Sequence, residues 1–426
     1  MDRRSPWRGF LSAIAALAGL LGLASGSVAL VGFAAGWAVL LALAFLASRH
    51  QLGGLAAERR TAPSAFEGDL VTVDLFVENH GRRDARFVVA SDLFGAGLAD
   101  RQSVLEPGPL PPLHRRPLSY RAFVARQWGL YTVGPLSVGG WDPLGLWFSQ
   151  RELPRVDPFE VYPRAVEIES LSARGARATI APREVSAAAS GQSLLFRGVR
   201  EFAAGDDVRR IHWPATARRG APMVREFERD LQPVFALFLD LDRRGRAGLG
   251  RKSTLEYLVR VGVSLLWTAH RRGDVFSLIA EGDRLILLPP GQGELHLAAA
   301  LHELVTARQT GGRPLVEVVD RHRDLLPAGA TAALVSATTE VDLERLGHVV
   351  GALRALAVRP LVVVVDALSF PPVDRPPTPV ATARALRREL TERLLALDVP
   401  AAVLDAETTP EDALRRPEAF ALAEAR

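Results

Sequence analysis

Uninterrupted hydrophobic runs and alternating hydrophobic and polar positions divide this chain into regions, and the first run is the longest. No charged residue occurs from Phe10 to Ala47. At 1.5 Å per residue such a run would form a helix of roughly 57 Å, nearly twice the thickness of the hydrocarbon core of a bilayer. Because the small and polar residues Ala24–Ser27 interrupt it, we predict two membrane helices, at about residues 10–23 and 28–47, within a membrane region of residues 1–50.

Arginines flank this predicted hairpin on both sides: Arg3, Arg4 and Arg8 before it, and Arg49, Arg59 and Arg60 after it. The positive-inside rule then places both ends in the cytoplasm. We therefore expect a multi-pass (two-span) protein of the cell membrane with the bulk of the chain cytoplasmic. Two alternatives stay open. One is a cleaved secretory signal peptide, against which the second apolar run argues; the other is one span with an external soluble part.

Strand patterns follow a polar stretch that we interpret as a linker, residues 51–62. Leu70–Asn79 alternates hydrophobic and polar residues and is rich in β-branched side chains, which is typical of a half-buried strand. Further strand-like segments lie at 86–91, 116–124, 129–138 and 159–162, with no helical periodicity between them. The pattern predicts an antiparallel β-sandwich over residues 63–165, followed by a second linker, residues 166–190. We interpret Trp128, Trp141 and Trp147 within it as packing residues, and a ligand-binding aromatic cluster is the alternative.

The pattern of hydrophobic and polar residues changes after residue 229, where apolar strands alternate with amphipathic helices. Val234–Leu239 is a continuous apolar run, as expected for a strand buried on both faces. The other predicted strands are 275–280, 284–288, 332–336, 360–365 and 401–404, and the predicted helices are 255–270, 294–307, 341–355 and 380–396. This alternation predicts a doubly wound α/β domain over residues 229–426.

The densest run of mixed charge lies between these two regions, in residues 191–228, which we call the signature segment. Large apolar residues such as Phe196, Phe202 and Phe227 interleave with the charges, and a disordered segment would have no means of burying them. We therefore predict an ordered segment whose charged side chains pair or face a partner. Gly205–Asp207 is expected to form a turn, with Asp206 or Asp207 capping a short helix over Val208–Trp213.

The signature segment resembles that of the family known as domain of unknown function 58. The positions that carry the resemblance are Arg200, Glu201, Gly205, Asp206, Asp207, Arg209, Arg210, Ile211, His212, Trp213, Ala217, Arg218, Val224, Arg225 and Glu226. The layout of the chain is similar as well: a membrane hairpin, a β-rich region, the signature, and a last domain that the resemblance implies to be von Willebrand factor A-like. It also implies work beside a MoxR-type AAA+ ATPase, with the signature residues as an interaction surface.

The charged residues of the signature segment suggest how the β-rich and α/β regions are joined. Bidentate pairs from Arg200, Arg209, Arg210 and Arg218 to Glu201, Glu226 or Asp240 would form a clamp between the two regions.

Composition excludes several classes of function. The formal net charge of +4 is too small to favour a nucleic-acid binder, and an arginine surplus next to a membrane more simply indicates contact with anionic lipid. The chain has no cysteine, so it has no disulfide, thiolate metal site or cysteine nucleophile. Phosphate-binding loop motifs are absent, and a partner ATPase would be a separate chain.

A metal site is the first alternative function. Von Willebrand factor A-like domains often bind Mg²⁺ through Asp-x-Ser-x-Ser at the end of the first strand. This chain has Asp240 and Asp242 there, but Arg243 and Arg244 follow and would oppose a divalent cation. Ser336 and Asp366 would keep oxygen ligands nearby. We expect no metal, with Asp240 paired to an arginine, and keep a metal-dependent binding module as the alternative.

His212 suggests a second alternative, a hydrolase. Asp206 or Asp207 would orient its imidazole, but no activated nucleophile accompanies it at a recognisable spacing. The sequence therefore favours a non-enzymatic, membrane-anchored interaction or scaffold protein, partnering a MoxR-type AAA+ ATPase in protein maturation or envelope processes, without a cofactor.

Overall fold

A computed structural model describes residues 6–97, 102–105, 108–168, 194–203, 208, 211–229, 234–337, 343–373, 376, 378–416 and 420. The chain is a mixed α/β protein with several sheets, and it divides into two compact units, Met1–Arg164 and Ala165–Arg426. Each unit has its own buried apolar cluster.

Two apolar helices open the first unit, α1 (Pro6–Ser25) and α2 (Val28–Gly53). They break at Gly26 and Ser27, inside the predicted interruption. A Cβ on Gly22 would lie 2.8 Å from the Cβ of Leu30, so the helices pack closely beside the turn. Within the described residues, one helical stretch, Val28–His50, is long and apolar enough to span a membrane, while the apolar part of α1, Gly9–Ser25, is shorter. The structure therefore supports one candidate span, not two.

The rest of the first unit is built from ten strands: β1 (Leu55–Arg60), β2 (Ser64–Phe66), β3 (Leu70–Asn79), β4 (Val88–Asp92), β5 (Gln102–Leu105), β6 (Arg115–Phe123), β7 (Gly129–Val133), β8 (Leu136–Trp141), β9 (Phe148–Leu153) and β10 (Asp157–Tyr162). They form three sheets, in the orders β1-β3-β6, β2-β10-β7 and β5-β4-β8-β9. All pairs are antiparallel except β10 with β2. β3 has the bounds that the alternation predicts, because its buried positions recur at every second residue.

The predicted linker over residues 51–62 is wrong. It contains the end of α2 and the whole of β1, which pairs with β3 along its length. The polar residue Arg59 made this stretch look like a linker, yet its side chain is buried in ion pairs with Asp92 and Asp157, both at 2.6 Å. The predicted strand over 129–138 is two strands, β7 and β8, divided at Gly134-Pro135, where proline cannot donate to a ladder.

Two tryptophans of the first unit contact other aromatic residues, and Trp128 packs partly buried against the apolar core of this unit. The rings of Trp147 and Phe45 lie 5.1 Å apart in an edge-on arrangement, and those of Trp141 and Phe148 lie 5.3 Å apart. These contacts agree with the packing interpretation.

The second unit contains β11 (Leu194–Glu201), α3 (Trp213–Arg219), β12 (Met223–Arg229), β13 (Val234–Leu239), β14 (Gly248–Leu249), β15 (Lys252–Ser253), α4 (Thr254–Arg271), β16 (Val275–Glu281), β17 (Leu285–Gly291), α5 (Glu294–Thr306), α6 (Leu315–His322), β18 (Thr331–Ser336), α7 (Leu343–Ala355), β19 (Arg359–Val365), α8 (Val380–Ala396), β20 (Ala401–Leu404) and α9 (Pro410–Arg415). The predicted strands and helices of the α/β region are present within a few residues of their expected bounds. The short helices α6 and α9 were not predicted.

The main sheet has six strands in the order β17-β16-β13-β18-β19-β20. All neighbours are parallel except β16 and β17, which form an antiparallel pair at one edge. The chain leaves β13 toward β16 on one side and later returns to β18 on the other, so the strand order reverses between β13 and β18. In open α/β sheets, ligands bind at such a switch point, outside the carboxyl ends of the strands.

The start of the second predicted linker is also ordered. The amides of Val166 and Ile168 donate to the side chains of Ser264 and Thr268 on α4, at 3.2 and 3.1 Å, and Ile168 is fully buried. The rest of that prediction, from residue 169 on, lies outside the described residues.

Candidate functional site

Asp240 lies directly after β13, at the switch point of the main sheet. Its carboxylate accepts a hydrogen bond of 2.6 Å from the Oγ of Ser336, the last residue of β18, and one of 3.0 Å from the amide of Asp242. The Asp240 amide donates to the carbonyl of Val335 at 2.9 Å. Two adjacent parallel strands end here side by side, which is why residues almost a hundred positions apart meet.

Burial raises the pKa of Asp240 from 3.8 to about 6. The hydrogen bonds from Ser336 and from the Asp242 amide favour the charged form and oppose this rise, while the nearby Asp242 carboxylate adds to it. Burial at the end of β13 thus favours the neutral form of the Asp240 carboxyl over the charged form.

Asp242 is held differently, by an arginine two residues along the chain. Its side chain accepts from the Arg244 amide at 3.0 Å and caps a single turn of 3-10 helix, Arg243–Gly245. The Nε and Nη2 of Arg244 donate to its other oxygen at 2.8 and 2.5 Å. The predicted pairing of Asp240 with an arginine is thus wrong: Asp242 takes the guanidinium, because a side chain at position 244 reaches back over the turn to the cap residue.

This set of donors does not fit a divalent cation. Asp242 already holds a guanidinium where a metal would lie, and Asp240 is bonded to Ser336. Within the described residues, no group of three or more histidine, aspartate or glutamate side chains is arranged to hold a metal ion.

A second acidic pair lies at the ends of β19 and β20. Arg387 on α8 donates from Nε to Asp366 at 2.6 Å and from Nη1 to Asp405 at 3.0 Å. Asp366 also accepts from the amide of Leu368 at 3.1 Å. Asp366, which we considered as a nearby oxygen ligand, is thus paired within the chain. Arg387 carried no signal in the sequence because it is one of many arginines in α8.

The signature segment folds as an antiparallel hairpin, β11 with β12, whose connection contains α3. Ile211 bridges to the buried Val224, and the His212 amide donates to the Met223 carbonyl at 2.7 Å, so the connection folds back onto β12. The helix predicted over Val208–Trp213 is described only in part, because Arg209 and Arg210 lie outside the described residues. Ile211 and His212 belong to no helix, and α3 begins at Trp213.

His212 is the N-cap of α3. Its Nδ1 accepts the amide proton of Ala215 at 3.1 Å, which satisfies one of the helix's free amides. At the other end Gly220 adopts the left-handed conformation, and its amide donates a hydrogen bond to the Thr216 carbonyl. The Thr216 hydroxyl accepts from the Met223 amide at 2.9 Å. The seven-residue helix is thus fixed at both ends.

α3 has no buried residue. Trp213 is 69% exposed, and Ala217, Arg218 and Arg219 are exposed too. The hairpin therefore presents an aromatic ring and two guanidinium groups to solvent on a fixed backbone.

The remaining signature residues are placed only in part. Arg200 is exposed and donates to the carbonyl of Glu201 at 3.0 Å. Gly205, Asp206, Asp207, Arg209 and Arg210 lie outside the described residues, as do the side chains of Arg225 and Glu226 in β12. Asp240 is the predicted clamp partner in the α/β region. Its carboxylate accepts a hydrogen bond from the hydroxyl of Ser336.

Residues 198–369 match the family model described as "Protein of unknown function DUF58". The match runs from β11 to the turn after β19, and it supports the DUF58 family that the signature residues suggested. No curated protein matches the chain.

Some solved structures align with about a quarter of the chain. They include the CARDB domain of a Pyrococcus furiosus protein (16% identity, 26% of this chain and 91% of that one, TM-score 0.19). Another is α2-macroglobulin from Escherichia coli, from its domain MG7 to the C-terminus (17% identity, 27% and 17%, TM-score 0.21). A third is the alkylpurine DNA glycosylase AlkC from Pseudomonas fluorescens (10% identity, 25% and 30%, TM-score 0.19). These scores are too low to carry an argument about fold or function.

Proposed function

We propose that this chain is a non-enzymatic, membrane-anchored interaction protein whose signature hairpin docks a MoxR-type AAA+ ATPase in protein maturation or envelope processes. The observation that carries the proposal is α3, a helix fixed at both ends that keeps a tryptophan and two arginines exposed. The choice of partner rests on the family resemblance.

The exposed side chains of α3 have the chemistry of an interface. Tryptophan and arginine are enriched among the residues that contribute most to protein–protein binding. Trp213 is 69% exposed, so a partner that covers it would remove a large apolar surface from water. Because His212, Gly220 and Thr216 hold the backbone of α3, little conformational entropy of the main chain would be lost on binding.

The N-terminal helices support membrane anchoring. The apolar side chains of α2 are largely exposed, with Val39, Leu43 and Leu46 at 58–60%. Exposing this apolar surface to water costs free energy, whereas exposing it to the hydrocarbon of a bilayer does not. We propose that α1 and α2 cross the membrane as a hairpin with both ends cytoplasmic, supported by the close packing at Gly22 and by the flanking arginines.

The strand order of the main sheet, with one antiparallel edge strand, supports a von Willebrand factor A-like fold for the second unit. Asp242 bound to Arg244 argues against the metal-dependent binding module. The Nδ1 of His212 accepts the amide proton of Ala215 and so caps α3. This use of the imidazole argues against a hydrolase centred on His212.

The experiment is co-purification of the full-length chain from mildly solubilised membranes, with and without the double substitution W213A/R218A. Leu295→Ala is the matched control, since Leu295 on α5 is 89% exposed and lies outside the hairpin. We expect the ATPase to be recovered with the unaltered chain and with Leu295→Ala, and its recovery to fall at least tenfold with W213A/R218A.

Recovery of the unaltered chain without any AAA+ ATPase would refute the partnership. Equal recovery with W213A/R218A would refute α3 as the docking surface.

A further inference from the structure

We propose that the turn between β8 and β9, residues 142–147, lies in the interfacial layer of the bilayer and contacts phospholipid where the headgroups meet the acyl chains. We call these residues the interfacial turn. The inference rests on the proposed membrane anchoring through α2. It adds to that anchoring a second lipid contact, which the strand-rich part of the first unit makes beside the helix.

The depth of the interfacial turn is set by its contact with α2. The ring centroids of Trp147 and Phe45 lie 5.1 Å apart. Phe45 precedes the end of the candidate span, His50, by five residues, which is roughly 7.5 Å of helix. The 23 residues of the span are only slightly longer than the hydrocarbon core is thick. Phe45 therefore lies near the boundary between hydrocarbon and headgroups, and Trp147 lies beside it.

Further contacts with the strands hold α2 in place next to the interfacial turn. The hydroxyl groups of Ser48 and Ser149 lie 2.7 Å apart, within hydrogen-bond distance, and Ser48 is fully buried. One helical turn later, Leu52 belongs to the apolar core of the strands. Phe45, Ser48 and Leu52 are spaced by three and four residues, so they share one face of α2. The level of the turn relative to the span is therefore fixed by the fold.

The backbone N–H groups of the interfacial turn need no water. Pro143 has none, and the amide of Gly145 donates to the Asp142 carbonyl at 3.0 Å. The Asp142 amide donates to the Trp147 carbonyl, also at 3.0 Å. The Asp142 carboxylate accepts from the three remaining amides of the turn, those of Leu144, Leu146 and Trp147, at 2.8, 2.7 and 2.5 Å. Because backbone in contact with lipid must have its polar groups bonded within the protein, this turn suits a layer with little water.

The surface that the interfacial turn exposes is apolar. Its exposed residues are Pro143 and Leu144, and Leu144 is 57% exposed. The side chain of Asp142, which carries the charge of the turn, is fully buried. Phe87 directly precedes β4, lies at the same end of this antiparallel sheet and is 51% exposed. Exposing these side chains to water costs free energy, whereas contact with the acyl chains of lipids does not.

Arg49 indicates where the headgroups lie. Its guanidinium carbon is 5.3 Å from the centre of the Phe45 ring, and the residue is exposed. An arginine near the end of a membrane helix keeps its charged group at the headgroups while its stem lies along apolar surface. Phe45 thus contacts both a tryptophan and an arginine, the residue types that occupy the interfacial layer of membrane proteins.

The test uses the absence of cysteine from the chain, because a single introduced cysteine then carries a nitroxide label without a competing thiol. Leu144→Cys places the label on the interfacial turn. Val39→Cys on α2 and Leu70→Cys on β3 are matched controls, since the three parent side chains are 57%, 58% and 58% exposed. Val39 lies inside the candidate span. Leu70 lies at the opposite end of β3 from Asn79, which pairs with Leu55 just after α2.

The measurement is power-saturation electron paramagnetic resonance of the labelled full-length chain, one copy per nanodisc of phosphatidylcholine and phosphatidylglycerol. Dissolved oxygen concentrates in the acyl chains and a nickel chelate stays in water, so the ratio of the two accessibilities rises with depth. We expect this ratio to be at least threefold higher for Leu144→Cys than for Leu70→Cys, and highest for Val39→Cys. All three positions are exposed, so the fold should tolerate the labels.

Two results would overturn the inference, and they differ in what they say about the proposed anchoring. If Leu144→Cys gives the ratio of Leu70→Cys while Val39→Cys gives a high one, the interfacial turn lies in water and the anchoring through α2 stands. If Val39→Cys gives a ratio as low as that of Leu70→Cys, α2 does not enter the bilayer, and the anchoring fails together with the inference.

Discussion

Ser336 donates a 2.6 Å hydrogen bond to the carboxylate of Asp240, and this bond joins the ends of the two strands between which the strand order of the main sheet reverses. Asp240 is 4% exposed. A carboxylate in such a place is costly when charged, and Ser336 with the Asp242 amide offsets only part of that cost. The site thus keeps a buried acid at the point where open α/β sheets bind ligands.

The first prediction concerns the pH dependence of stability. A rise in the pKa of Asp240 from 3.8 to about 6 corresponds to about 3 kcal/mol. The folded state holds this proton more tightly than the unfolded state. The stabilising effect of the bound proton is therefore complete below pH 3.8 and lost as the pH rises through about 6. Asp240→Asn, which never ionises, should melt at a higher temperature than the unaltered chain at pH 7, and the difference should shrink toward pH 5.

Thermal unfolding of the solubilised full-length chain between pH 5 and 8 measures this difference. Asp324→Asn, whose parent side chain is 84% exposed, is the control and should give a small, pH-independent difference. A constant offset between Asp240→Asn and the unaltered chain across this range would contradict the prediction.

The second prediction concerns the buried arginine of β1. Arg59 donates to Asp92 and Asp157, both at 2.6 Å, and to the Val133 carbonyl at 2.6 Å. Removing one partner leaves the fully buried Asp92 without its cation. Arg59→Met should therefore lower the free energy of unfolding of the first unit by about 3–5 kcal/mol.

Chemical denaturation followed by tryptophan fluorescence reports this change. The neighbouring Arg60 is 64% exposed, and Arg60→Met should cost less than about 1 kcal/mol. Similar losses for the two variants would show that burial of Arg59 does not decide its contribution.

The third prediction concerns Gly245, in the turn after Asp242. A Cβ there would lie 1.5 Å from the carbonyl oxygen of Ala337, so a methyl group forces the two loops apart. Gly245→Ala should destabilise the second unit by about 3 kcal/mol or more, at the upper end of overpacking effects. In contrast, Gly351 lies in α7 with nothing within 4 Å of its Cβ position, and Gly351→Ala should stabilise by up to about 1 kcal/mol. Melting temperatures of both variants check the pair, and a mild effect at Gly245 would contradict the close approach.

The fourth prediction concerns magnesium. The carboxylate of Asp242 is already bound to the guanidinium of Arg244. Millimolar Mg²⁺ should therefore not raise the melting temperature of the chain above its value in buffer that contains a chelator and no divalent cation. A Mg²⁺-dependent rise that disappears in Asp240→Ala would favour the metal-dependent binding module instead.

Much of the second unit was predictable from local pattern. The apolar run Val234–Leu239 and the alternating helices follow from period and composition alone, because a strand buried on both faces must be apolar throughout. β1 was missed because its charged residues imitate a linker, and only the carboxylates contributed by β4 and β10 make Arg59 a core residue.

The sequence by itself determined where the apolar N-terminal run breaks, where the α/β alternation begins and which signature residues resemble a known family, since these depend on neighbours along the chain. Only the tertiary structure decided that Asp240 meets Ser336 and that Asp242 is held by Arg244. These relationships depend on which strands lie side by side and on how loops distant in sequence fold over their ends. No local period of hydrophobic and polar residues carries that information.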